Sequence, residues 1–241
     1  MRSGNPALKD NTFNEPRAAS AEGAMTVQGT VQKTALLLAV TVAMGGWSWR
    51  RPEVFLALWL VWVLAGLGVA LVTVFKKAWS PVTAPVYAAI EGVVLGVLSV
   101  LFERAYPGIV SQAVLITFGT LAALLAAYAS GLIKVTQNFR LGIVAATGGI
   151  CLVYVAGLVL GFFGIRIPMI HESGWVGIGF SLFVVTIAAL NLVLDFDFIE
   201  KGAESGQPKY MEWYGAFGLL VTLIWLYMEI LRLLAKSRSR R

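Results

Sequence analysis

Five carboxylates occupy positions where an ordinary surface acid would not be expected. Glu91 stands inside "PVYAAIEGVVLGVLS", residues 85–99, whose other members are apolar, small or aromatic. Asp195 and Asp197 close the apolar run "LNLVLDFDF", Glu212 opens the next one, and Glu229 lies within "LIWLYMEILRLL". An ionised group at the centre of a membrane helix costs about 3 kcal/mol or more, so each is a candidate for ion passage or proton sensing. Hard carboxylate oxygens suit calcium, and acids in series suit cation passage. Asp195 shares a helical face with Asn191 one turn earlier, whereas Asp197 is about 200° round the helix and cannot face the same pore. Arg232 follows Glu229 by three residues, the spacing of a local ion pair. Glu91 has no basic residue within a turn, and a functional role is favoured for it over a neutral, hydrogen-bonded structural one.

The elements that must hold these acids are set by composition. The chain has 241 residues, 58% hydrophobic and only 13% charged, with mean hydropathy +0.78. A soluble domain carries roughly 25% charged residues. The balance indicates an all-α, multi-pass membrane protein. Seven apolar segments approach the roughly 20 residues needed to span hydrocarbon. They are placed at about 34–49, 53–75, 82–102, 109–132, 141–164, 174–196 and 213–235. The runs are continuous and do not alternate, which argues for helices over barrel strands. Residues 1–33 read as a flexible polar tail without a cleavable signal, so the first helix is expected to insert as a signal-anchor. Residues 236–241 form a basic C-terminal tail. Small residues recur every fourth position at Ala88, Gly92 and Gly96, and at Gly157 and Gly161, predicting close helix contacts.

Depths follow from a rise of about 1.5 Å per residue. Let side A be the face holding the N-terminus. Glu91 then lies near the midplane, Asp195 and Glu212 at the side A boundary, and Glu229 in the side B half, roughly 24 Å from Asp195. Side A loops carry six basic residues (Lys76, Lys77, Lys134, Arg140, Lys201, Lys209) against four on side B (Arg50, Arg51, Arg104, Arg166). That excess predicts a cytoplasmic side A. The basic C-terminal tail argues the other way: either it is tolerated outside, or the last segment does not fully cross. The net charge of +6 suits anionic lipid headgroups and not nucleic acid.

Catalytic constellations are poorly served. Ser130, in "YASGL", needs a base within reach. The one histidine, His171, falls in a side B loop while Ser130 is at the side A end of its helix. One histidine and one cysteine do not make a zinc site of the usual type. Cys151 reads as a small packing residue, and "ATGGI" lacks the Lys-Ser/Thr of a phosphate-binding loop. No enzyme activity and no cofactor are expected.

Four stretches carry a resemblance. "RSGNPALKDNTF", "MTVQGTVQKTALLL", "PVYAAIEGVVLG" and the long segment "LNLVLDFDFIEKGAESGQPKYMEWYGAFGLLVTLIWLYMEILRLL" together resemble the bacterial branch of the Bax inhibitor-1/YccA family over nearly the whole chain. The resemblance implies seven helices, six wrapped around a central seventh, in the bacterial cytoplasmic (inner) membrane. It also implies a pH-sensitive calcium leak latched by two aspartates on the last two helices or, in other members, association with a membrane-bound protease. Asp195 fits the first aspartate. The second normally lies in a "Leu-Asp-Phe-Ile-Asn"-like stretch of the last helix, which here has no aspartate. Glu212, expected level with Asp195, or Glu91, one layer deeper, are the substitutes considered.

The expected function is a proton-modulated cation (calcium) leak. Asp195 and Glu212 would form its mouth, Glu91 its waist and Glu229 the far side, with calcium held transiently by Asp195 and Glu91. The alternative is a non-conducting regulator that binds a membrane protease or stress-response partner.

Overall fold

In the computed structural model, residues 23–164 and 174–239 are described, and within them regular structure is helical. His171, Arg166 and the motif "RSGNPALKDNTF" lie outside the described residues. The helices are α1 (Val27–Arg50), α2 (Pro52–Leu56), α3 (Trp59–Phe75), α4 (Ser80–Ala105), α5 (Ile109–Ala129), α6 (Gln137–Phe162), α7 (Trp175–Glu204) and α8 (Met211–Arg238). Six are long and apolar enough to cross a membrane, and the shorter α3 is apolar as well.

The last helix is the axis. Buried residues run along α8 from Met211 to Leu231. Its flanks pack on α7 and α5 through Leu192, Phe196, Ile109 and Ala113, and on α1 and α4 through Leu37, Ala84 and Tyr87. Helix α6 is the least enclosed, touching the bundle near Ile150. Large apolar side chains such as Leu115, Leu152 and Leu64 face outward, as lipid-facing residues do.

Helices α1 and α4 run parallel and unusually close. The Thr41 hydroxyl donates to the Ala88 carbonyl at 3.2 Å, and that of Ser48 to Val93 O at 3.1 Å. A Cβ on Gly92 would sit 2.5 Å from Thr41 O, and one on Gly96 would overlap Ser48 and the Gly45 backbone. The expected Ala88–Gly92–Gly96 ridge is therefore the seat of α1. Gly161 differs: a Cβ there would meet nothing within 4 Å, so the second expected small-residue ridge is not a helix contact at that position.

Residues 236–238 of the expected basic tail are helical, as the end of α8, and three other boundaries differ more from the sequence reading. Helix α1 begins at Val27, so residues 27–33 of the expected tail are helical, capped by Thr26 Oγ1, which accepts from Gly29 N at 2.9 Å. The segment before it is also docked: Met25 N donates to Gln207 O at 2.7 Å, and the Met25 side chain is buried against Gly202 and Gly215. The second expected helix is broken at Ala57–Leu58 into α2 and α3, which lets Phe55 and Trp62 both reach Val93 and Val97 on α4. Helix α7 continues to Glu204, eight residues beyond the expected end at 196. Hydropathy marks where hydrocarbon ends, not where a helix ends, and "DFIEKGAE" continues the helix with the Asp197–Lys201 pair on its surface.

Candidate functional site

Asp195 lies deeper than the side A boundary, because it meets a residue eleven positions into α8, roughly 16 Å from the start of that helix. The Asp195 carboxyl faces α8 at the hydroxyl of Thr222. Its Oδ2 is buried and has no hydrogen-bond partner among the described residues. Thr222 is itself only 8% exposed and donates to Gly218 O at 3.2 Å, inside its own helix. Thr222 was not among the sequence candidates, because a threonine in an apolar run carries no signal of its own. The available clue was its place directly before "LIWLYMEILRLL", the last-helix stretch that corresponds to the one holding the second family aspartate.

The other acids are distributed among separate helix contacts. Glu212 is fully buried at the side A end of α8. Its Oε1 accepts from Thr26 N at 3.0 Å, from the Thr26 hydroxyl at 2.8 Å and from Lys209 Nζ at 2.8 Å, while Lys33 Nζ lies 2.8 Å from Oε2. Gly29 leaves the room for this: a Cβ there would overlap the carboxylate. Glu212 is therefore a clamp between α1 and α8. It is not level with Asp195, since Thr222 lies ten residues further along α8, roughly 15 Å deeper.

Glu229 is 1% exposed, takes the Tyr154 hydroxyl at 3.0 Å and pairs with Arg232 at 2.7 Å, as their spacing suggested. It is only seven residues beyond Thr222, so its depth gap from Asp195 shrinks from the expected 24 Å to roughly 10 Å. It remains occupied by its own partners.

Glu91 does reach the midplane. Ser80 Oγ donates to Tyr210 O at 2.9 Å and fixes the start of α4 against the start of α8. Glu91 is eleven residues on, roughly 16 Å deep and close to the level of Thr222. Its carboxylate, however, points at α3: a Cβ on Gly66 would lie 2.9 Å from Oε1. One turn earlier on α4, Tyr87 packs edge-on against Phe217, centroids 5.0 Å apart. Phe217 and Thr222 are about 140° apart round α8. Glu91 and Asp195 thus share a depth but not a cavity, and the paired calcium site expected of them is not assembled. Among the described residues no group of three or more potential metal-ligating side chains occurs.

Asp197 is 5% exposed, with Arg140 of α6 at 2.5 Å and Lys201 at 2.7 Å. It does point away from Asp195, as the 200° offset requires. Asn191 donates to Thr147 Oγ1 on α6 at 2.8 Å and to Ile187 O, so it ties α7 to α6 and does not join the Asp195–Thr222 contact. Ser130 only caps α5, donating to Ala127 O. Cys151 is exposed on α6 and lines an outward-facing groove, so its expected role as a packing residue is not met.

The resemblance implies two aspartates between the last two helices; here a single buried carboxyl, Asp195, stands between the central helix and α7. The family model described as Bax inhibitor 1 like matches residues 5–239. The chain belongs to that family. Neither a curated protein nor a solved structure matches it. Within this Bax inhibitor 1 like protein, the position across from Asp195 is held by a neutral hydroxyl rather than a second acid.

Proposed function

We propose that this Bax inhibitor 1 like protein is a proton-modulated cation leak of a bacterial cytoplasmic membrane, gated where α7 meets α8 at Asp195 and Thr222. One observation carries the reading: Asp195 Oδ2 is buried against the central helix at mid-depth, without a hydrogen-bond partner among the described residues. A neutral carboxyl is tolerated there. An ionised one is a buried charge with no counter-ion, which disfavours close packing of the two helices. Deprotonation then loosens the α7–α8 contact and admits water and a cation such as calcium, while protonation restores the seal. Glu212, Glu229 and Asp197 hold helices together and do not line this path, and Glu91 serves the α3–α4 contact. No enzymatic step and no cofactor form part of the proposal.

Calcium flux from liposomes containing the purified protein, measured at two pH values, tests it. Flux should rise with pH in the native protein and lose that dependence in Asp195→Asn. A second reading has its own support. Because the acids occupy separate helix contacts, a non-conducting regulator of a membrane protease or stress partner would need none of them to converge. Absence of flux at both pH values from well-folded protein would favour that reading.

A further inference from the structure

Three of the six side A cations come together in one cleft. Lys77 stands just before α4, Arg140 in the first turn of α6 and Lys201 near the end of α7, and all three line a cleft of about 540 Å³. Its remaining wall is largely apolar, with Val144, Leu194 and Phe198. Among the described residues the only acid paired with these cations is Asp197, which takes Arg140 and Lys201 together. Both keep about half their side-chain surface exposed, at 50% and 55%. Lys77 is held over the Tyr214 ring, 5.3 Å from its centroid, with no carboxylate partner among the described residues. Two neighbouring acids are engaged elsewhere: the Tyr128 hydroxyl of α5 donates to Glu200, and Glu212 is enclosed by Lys33, Lys209 and Thr26. Three cations against one buried carboxylate leave the cleft with a net positive charge. Apolar walls lead from it along α6 and α7 toward the membrane interior.

We infer that this side A cleft is a binding site for the phosphate headgroup of an anionic phospholipid, with Lys77, Arg140 and Lys201 on the phosphate and the start of an acyl chain along Val144, Leu194 and Phe198. Guanidinium and ammonium groups are the usual phosphate partners, and basic pockets between membrane helices hold anionic headgroups. An acidic soluble partner would match the charge but leave the apolar wall uncovered. A free phosphate would do the same.

Lipid adducts counted by native mass spectrometry on the purified full-length protein test the site, with phosphatidylglycerol, phosphatidylcholine and inorganic phosphate as separate probes. Phosphatidylglycerol should bind, and phosphatidylcholine and inorganic phosphate should not compete with it. Lys77→Gln, which leaves both Asp197 ion pairs intact, should weaken binding about fivefold, the worth of one cation near an anionic surface. Lys77→Arg should retain it. Lys134→Gln removes an exposed side A cation outside the cleft and should change binding little. Equal losses in Lys77→Gln and Lys134→Gln would reduce the effect to general surface charge and overturn the site, as would equal binding of phosphatidylcholine. Full displacement by millimolar phosphate would overturn the lipid assignment in favour of a free anion. Matching unfolding temperatures of the lipid-free variants show that any loss is not a loss of fold.

Discussion

Asp195 and Asp197 are two residues apart and have opposite surroundings. Asp195 faces a threonine and keeps one oxygen unpaired, whereas Asp197 is clamped by two cations. Substitution should therefore separate function from stability. Asp195→Asn keeps the shape, and thermal unfolding should stay near that of the native protein while the pH response of flux flattens. Asp197→Asn should leave the pH response in place and lower stability by about 1 kcal/mol, a modest cost because both cations retain water. If both substitutions flatten the response equally, the assignment of Asp195 to the gate fails. Thr222 provides a companion test: Thr222→Val strips the polar group from Asp195 and should shift the pH midpoint of flux, whereas Thr222→Ser should keep it. Glu212 belongs with the structural acids. It is fully buried among two lysines and the Thr26 cap, so Glu212→Gln should destabilise by roughly 2–3 kcal/mol in thermal unfolding, since it strands Lys33 and Lys209.

At the scale of elements, α1 and α4 are held by backbone proximity. Threonine and serine hydroxyls of α1 reach carbonyls of α4 because Gly92 and Gly96 present no side chain. Gly96→Ala should push the helices apart at Ser48 and Gly45, where backbone and not a flexible side-chain tip must yield. Its cost should be about 1–3 kcal/mol. Gly161→Ala on α6, with open space around it, should fall within about 0.5 kcal/mol of the native protein. Thermal unfolding of the two variants in one detergent checks the contrast, and equal effects would mean that the α1–α4 contact is not a close-packed seam.

For the whole molecule, the question left by the basic tail is answered by where α8 ends. With 28 residues, α8 is roughly 42 Å long, enough to cross the bilayer. Arg238 near its end donates to Pro107 O at 2.7 Å, in the α4–α5 turn, and to Gln112 Oε1 at 2.8 Å, in the first turn of α5, both on side B. The end of α8 therefore lies on the side opposite Lys77. A cysteine placed at Lys77 and another at Gln112, each in a Cys151→Ser background, should be labelled by an impermeant reagent from opposite sides of intact cells. With side A cytoplasmic, only the position near Gln112 should react from outside. Labelling at Lys77 from outside would invert the assignment, and labelling of both from one face would contradict the crossing itself.

What the sequence determined by itself is what depends on composition and on neighbours a few residues apart. Its long apolar runs require helices, because backbone groups in hydrocarbon must be satisfied within each segment. The Glu229–Arg232 pair follows from spacing, and so does the divergence of Asp195 from Asp197. Family membership was legible in the long final segment. Only the tertiary structure decided which groups meet across the bundle. Arg140 reaches Asp197 over 57 positions, and Thr26 reaches Glu212 over 186. Those meetings depend on the rotation and relative depth of each helix, which are fixed by packing: Gly29 admitting Glu212, Gly66 admitting Glu91, and α7 seated on α8 so that Asp195 meets Thr222. A periodic apolar pattern leaves rotation approximate and depth open by several residues. The acids therefore looked like one path in the sequence, whereas the folded chain divides them among separate helix contacts.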